Sequence, residues 1–149
     1  MTCRTGIVIT SRTGSSRIPS KPMVEIADRR ALDIQLGFLK RTGLQIVAAL
    51  PAGSEDDALA RCYQGSLIEV VRGHDKSPLH RLAMAAEKYQ FDNVVRVTSD
   101  DLFIDAEVLA HQLGEHVRRG ADYTYCTSAP SGTTAEVVSR ETLEKAVNL

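Results

Sequence analysis

A chain of 149 residues with 43% hydrophobic side chains is sized for one domain with its own core. Its 18 basic and 19 acidic side chains give a formal charge of -1, which lacks the basic excess of a dedicated nucleic-acid binder. No run approaches the ~18 uninterrupted apolar residues of a membrane span, and the apolar stretch near the N-terminus is too short for a signal-peptide core.

In chain order, the β-branched, apolar residues 6–10 read as a buried strand. A Gly-, Ser- and Pro-rich stretch, residues 12–22, follows. Leu32, Leu36 and Leu39 then recur at helical spacing, with Lys40 and Arg41 suited to the negative helix end and Gly43 to its cap. Residues 45–50 form a second apolar strand. Ser54, with Asp57 three residues on, reads as the cap of a short helix carrying Leu59, Cys62 and Tyr63. Residues 66–71 read as a third strand. Ser77 and Pro78 pair a cap with a first-turn proline, and Leu79, Leu82, Ala83, Ala86 and Tyr89 keep the period of the helix they open. Residues 93–98 form a fourth strand. Asp105 caps a helix bearing Leu109, Leu113 and Val117, closed by Gly120. Residues 123–127 and 136–138 read as two short strands, and 140–147 as a last helix.

This alternation implies a single domain over residues 1–149, a three-layer α/β fold whose mainly parallel sheet carries helices on both faces. Its connections should be right-handed crossovers. Ligands bind such sheets beyond the carboxyl ends of the strands, so the loops after Thr10 and Thr98 matter most. The cysteines, Cys3, Cys62 and Cys126, are odd in number and far apart. They fit no zinc site or disulfide framework and imply reduced thiols in a cytoplasmic protein. His74, His80, His111 and His116 show no metal-like spacing and read as surface or packed-edge positions.

The loop after Thr10 carries Arg12, Arg17 and Lys21 within ten residues. Gly14 and the small residues Ser11 and Ser15 let backbone approach a ligand and offer N–H groups to it. Arginine forks match phosphate oxygens and lysine adds a point charge, so three convergent cations suit a triphosphate. The loop is neither a Walker A motif nor a dinucleotide fingerprint. The turn after Thr98 carries Asp100, Asp101 and Asp105. Asp105 reads as a helix cap, while Asp100, at a strand's carboxyl end, is placed for a hard divalent cation such as magnesium.

Arg12, Gly14, Ser15, Arg17, Pro19 and Lys21 fall in register with the pattern A-R-x-G-S-x-R-L-P-x-K, and the loop resembles that of the cytidylyltransferase family. That family includes CMP-Kdo synthetases, acylneuraminate cytidylyltransferases and SpsF-like spore-coat polysaccharide proteins. Arg96, Thr98, Asp100, Ile104 and Asp105 match a second stretch, R-I-T-G-D-C-P-x-I-D, and Arg72, Gly73, Leu79 and Arg81 a third. Gly132, Glu136 and Val137 fit G-x-D-V-E-V, with Thr134 in place of its acid. Ser11 stands for an alanine, Ser99 for a glycine and Leu102 for a proline. Residues 27–30 lack the glycine-rich turn usual before the first helix.

The resemblance implies a nucleotide-diphospho-sugar transferase-like fold. It implies nucleotidyl transfer from CTP to a sugar acceptor, an acidic sugar being the family's favoured kind, giving a CMP-sugar and pyrophosphate. Ser11, Arg12, Gly14, Ser15, Arg17, Lys21, Arg72 and Thr98 would bind the nucleotide. Arg12, Arg17, Lys21 and Asp100 would carry catalysis, and Asp100 with Glu136 would hold Mg2+. The family domain is longer than this chain, so part of the acceptor pocket and of the usual homodimer contacts is expected beyond it. Two other readings stay open: a nucleotide-binding module without catalysis, and a nucleotide-sugar-dependent glycosyltransferase using Asp100 and Asp101.

Overall fold

The computed structural model describes residues 3–14 and 17–148. One six-stranded sheet organises the chain, its strands lying side by side in the order 69–73, 45–51, 5–10, 93–98, 136–139 and 123–124. β1 (Thr5–Thr10), β4 (Gln45–Pro51), β5 (Glu69–Gly73) and β6 (Asn93–Thr98) are mutually parallel. β8 (Glu136–Ser139) runs antiparallel to β6, and β7 (Tyr123–Thr124) antiparallel to β8. A separate two-stranded hairpin joins β2 (Glu25–Ile26) to β3 (Arg29–Arg30).

Strand alternation sorts the apolar residues into two layers. Ile7, Ile9, Leu50 and Val97 face a core closed by α1 (Ala31–Leu39), α2 (Asp57–Gly65) and α4 (Ala106–Arg119). Val8, Val47, Ala49 and Val94 face the other core, closed by α3 (Pro78–Tyr89) and α5 (Arg140–Val147). Ile7, Val8 and Ile9 are each fully buried, and such burial contributes about 1.5–3 kcal/mol per side chain. Gly6 is glycine because Phe91 lies across it: a Cβ there would stand 2.1 Å from the ring. The central parallel sheet flanked by helices is the layered α/β architecture expected from the sequence.

Of the expected caps, those at Ser77, Asp105, Gly43 and Gly120 form. Ser77 Oγ accepts from the His80 N–H, and Asp105 Oδ1 accepts from the Glu107 and Val108 N–H groups. Gly43 and Gly120 adopt the left-handed conformation that ends a helix. Four local expectations are corrected. Ser54 makes no side-chain cap; it opens a single tight turn, Ser54–Asp56, and the helix begins at Asp57. The third strand starts at Glu69, because Ser66 and Leu67 still belong to the turn that ends α2. β7 holds only two residues. His116 is buried, 2% exposed, with its ring bonded to Thr124 Oγ1 and Asn93 Oδ1, so it ties α4 to the sheet.

Candidate functional site

After β1 the chain builds β4 and β5 on one side, then returns through α3 to place β6 on the other side of β1. The connections therefore part at the carboxyl ends of β1 and β6, the topological switch point where open α/β sheets bind ligands. Thr10 and Thr98 are paired there in register. A cleft of about 390 Å³ opens beyond them.

The basic loop forms one wall of this cleft through Ser11, Arg12, Arg17 and Lys21. It is held from its own backbone outward. The Ser11 N–H donates to the Ala49 carbonyl at 3.3 Å, and the Ser20 N–H to the Thr13 carbonyl at 2.9 Å. The Thr13 N–H donates to Asp56 Oδ1 at 2.6 Å, and Asp56 is only 2% exposed. A buried side-chain oxygen accepting a backbone N–H fixes the loop, since that donor would otherwise be left unsatisfied. Arg12 and Arg17 remain exposed while lining the cleft.

The acidic turn forms the opposite wall. Gln35, fully buried, donates through Nε2 to the carbonyls of Thr98 and Asp101 and so pins the turn to α1. Thr98 Oγ1 lies 2.7 Å from both Asp100 Oδ1 and Asp101 Oδ2. Asp101 turns inward, where its Oδ2 also accepts the Thr98 N–H at 3.0 Å. Asp100 faces the cleft and takes Lys21 Nζ at 2.8 Å. The Lys21 ammonium, then the Thr98 hydroxyl, hold the Asp100 carboxyl below the usual carboxylate range, so it is ionised. Magnesium keeps several waters and is commonly held by one or two carboxylates together with substrate phosphates. An ionised carboxylate facing a cation-lined cleft fits that donor chemistry.

Several expected site residues lie elsewhere. Arg72 is drawn away from the cleft: it donates to the Pro51, Ala52 and Gly53 carbonyls and pairs with Asp57 at 2.9 Å, so it braces the turn after β4. Glu136 pairs with Arg96 and lines a second cavity, of about 430 Å³, rather than the wall that carries Asp100. Among the described residues no group of three or more His, Cys, Asp or Glu side chains is arranged for a metal ion. Gly14 stands on the exposed loop with open space around it. Ser15 lies outside the described residues. Arg96 and Thr98 line both cavities and form the boundary between them.

The cleft also contains residues that sequence reasoning did not place there: Asp75 and Lys76 from the loop before α3, Arg81 from its first turn, and Arg96 from β6. Arg81 and Arg96 lay inside stretches matched to the family. Helical or strand periodicity, however, presents such a residue only as a polar position. No helix among the described residues is long and apolar enough to cross a membrane.

Residues 6–149 match the family model described as Cytidylyltransferase. The spore coat polysaccharide biosynthesis protein SpsF of Bacillus subtilis is 32% identical over 143 residues, covering 91% of this chain and 59% of that protein. The chain thus spans about three fifths of that relative's length. A solved cytidylyltransferase from Leptospira borgpetersenii superposes with a TM-score of 0.91 at 26% identity, over 99% of this chain and 65% of that one. CMP:2-keto-3-deoxy-manno-octonic acid synthetase, solved with CTP, shares the fold at a TM-score of 0.77 and 16% identity, over 98% of this chain and 78% of that one. Over nearly its whole length, then, with a cation-lined cleft at the switch point of its sheet, the chain belongs to the cytidylyltransferase family.

Proposed function

We propose that the cleft binds the triphosphate of CTP and that the chain transfers a cytidylyl group to a sugar hydroxyl. The observation that carries this reading is the gathering of Arg12, Arg17 and Lys21 in one cleft with the ionised carboxylate of Asp100. In the proposed reaction an acceptor hydroxyl oxygen forms a bond to the α-phosphorus. The bond from that phosphorus to the bridging oxygen breaks, pyrophosphate leaves with the electron pair, and the hydroxyl gives up its proton. The protein's part is positioning and charge stabilisation. Arg12, Arg17 and Lys21 neutralise the triphosphate and the departing pyrophosphate. Asp100 and the Thr98 hydroxyl would hold Mg2+, which when bound supplies Lewis acidity at the phosphoryl oxygens. The second cavity, beyond Arg96 and Thr98, lies beside the phosphate cleft where an acceptor would enter. The family resemblance and the three unpaired cysteines accord with work in the cytoplasm.

A nucleotide-binding module without turnover is the second reading. It is favoured by Thr134, which lines the second cavity at the position where the family pattern carries an acid. The glycosyltransferase reading is disfavoured, because Asp101 is folded inward onto Thr98 instead of standing beside Asp100 as a metal ligand.

Calorimetric titration with CTP, UTP and ATP, with and without magnesium, tests the reading. Selective, magnesium-dependent CTP binding, with pyrophosphate release when an acidic sugar is added, is the expected result. CTP binding without release for any acceptor selects the module, and absence of all triphosphate binding by folded protein sinks both.

A further inference from the structure

Arg81 occupies the first turn of α3 and is 2% exposed, yet it lines the same cleft as Arg12 and Lys21. Its Nη1 donates to the carbonyls of His74 at 2.6 Å and Asp75 at 3.3 Å. Its Nε is buried and has no hydrogen-bond partner among the described residues. None of the ion pairs among those residues includes it. Burying a guanidinium without an ionic partner is costly, and an orphaned buried N–H adds to that cost. The environment sharpens the problem. Burial first, then the charge of Arg12, hold Arg81 below the usual arginine range, against smaller opposing effects of Asp56 and Asp75.

Two like charges lining one cavity, one of them buried with an unsatisfied donor, form a receptor for a polyanion. Carbonyl groups at Nη1 fix the plane of the fork, so the remaining edge is presented in a set direction. A phosphate in the cleft would offset both the repulsion between the two arginines and the cost of burying the Arg81 charge. A neutral cytosine carbonyl would not relieve the repulsion.

We propose that Arg81 is a direct ligand of the phosphate chain, acting with Arg12, an inference that rests on the triphosphate reading of the cleft. It assigns α3, and not the basic loop alone, to anion recognition.

The test uses the full chain and inorganic tripolyphosphate, which carries the charge of the nucleotide without its base. Arg81→Lys keeps the charge but loses the fork, and should weaken tripolyphosphate binding by about tenfold, the loss of one charge-assisted contact. Cytidine, which has no phosphate, should be unaffected. A melting curve confirms that the variant is folded. Should it not fold, the wild-type chain decides: the assigned Arg81 Nε–H resonance should shift on titration with tripolyphosphate and stay in place with cytidine. Unchanged tripolyphosphate affinity in folded Arg81→Lys, or a resonance that moves with cytidine alone, would overturn the proposal while leaving CTP binding by the wild type intact. If the wild type binds neither tripolyphosphate nor CTP, the triphosphate reading falls with it.

Discussion

Lys21 Nζ lies 2.8 Å from Asp100 Oδ2, so the lysine of the basic loop is paired with the cleft carboxylate proposed to hold a metal ion. The two groups come from loops 79 residues apart, after β1 and after β6. Their side chains are 23% and 49% exposed, which limits the pair's worth to stability to about 1 kcal/mol or less. Its consequence is for binding. A divalent cation competes with Lys21 for Asp100, whereas a phosphate competes with Asp100 for Lys21. Each ligand frees the partner that the other needs. Magnesium alone should therefore bind weakly, and magnesium and CTP should bind cooperatively. Lys21→Met is expected to strengthen binding of magnesium alone, and to weaken CTP binding about tenfold through loss of a charge-assisted contact. Titrations of each ligand in the presence and absence of the other check this. Equal magnesium affinity in the wild type and the variant would count against the coupling.

Asp56 is predicted to matter to both folding and ligand binding, although it lines neither cavity. Its Oδ1 accepts the Thr13 N–H from a buried position. Asp56→Ala leaves that N–H without its partner, and should cost about 1–3 kcal/mol in a urea unfolding series. It should also loosen the loop that carries Arg12, so CTP affinity should fall as well. Asp56→Asn retains an acceptor and should recover most of the stability. A variant that unfolds at the wild-type urea midpoint would show that the bond contributes little.

Why some of this was legible and some not follows from particular residues. The strands of residues 6–10, 45–50 and 93–98 were readable because burial on both faces of a parallel sheet demands continuous β-branched or small apolar runs. Ser77-Pro78, Asp105 and Gly120 were readable because caps are local chemistry. The start of β5 was not: Leu67 looks like strand, but it stands at φ 61° and 93% exposed in the turn after α2, where its apolar side chain says nothing about burial. Within the site, Arg12, Arg17, Lys21 and Asp100 were found because they adjoin the ends of β1 and β6. Arg72 matched a family pattern, but its donors are engaged by three carbonyls and a carboxylate that only the fold brings near. Arg81 and Asp56 were missed for the same reason. Burial of a charged residue is a property of tertiary packing, and no periodicity reports it.

The β2–β3 hairpin offers a stabilising change. Its turn residues, Ala27 and Asp28, have φ of 47° and 65°, a left-handed pair in which side chains with a Cβ are strained. The hairpin forms despite lacking the asparagine–glycine pair that favours such a turn. Replacing Ala27 with Asn and Asp28 with Gly should raise stability by roughly 1 kcal/mol together, since both new residues tolerate positive φ. The unfolding midpoint should rise with an unchanged denaturant slope. A lowered midpoint would show that the exposed Asp28 side chain contributes more than the relief of strain.

His116 predicts a pH dependence of stability. Burial, against a smaller opposing effect of Asp122, holds its ring below the ordinary value of 6.5. In the folded protein the ring is therefore neutral at pH values where the unfolded chain has already taken up a proton. By linkage, this contribution is fully present above pH 6.5 and is lost as the pH falls through that value toward the folded pKa. Protonation would also make both ring nitrogens donors, and the ring has an oxygen acceptor at each: Thr124 Oγ1 at 2.8 Å and Asn93 Oδ1 at 3.2 Å. The loss thus comes from desolvating the charge rather than from a missing acceptor. His116→Gln keeps a hydrogen-bonding side chain without a titrating group. It should be less stable than the wild type near pH 7.5 because of imperfect packing, yet lose less on acidification to about pH 5.5. Melting temperatures measured across that range decide the matter. Parallel pH profiles for the two proteins would remove His116 as the source of the acid sensitivity.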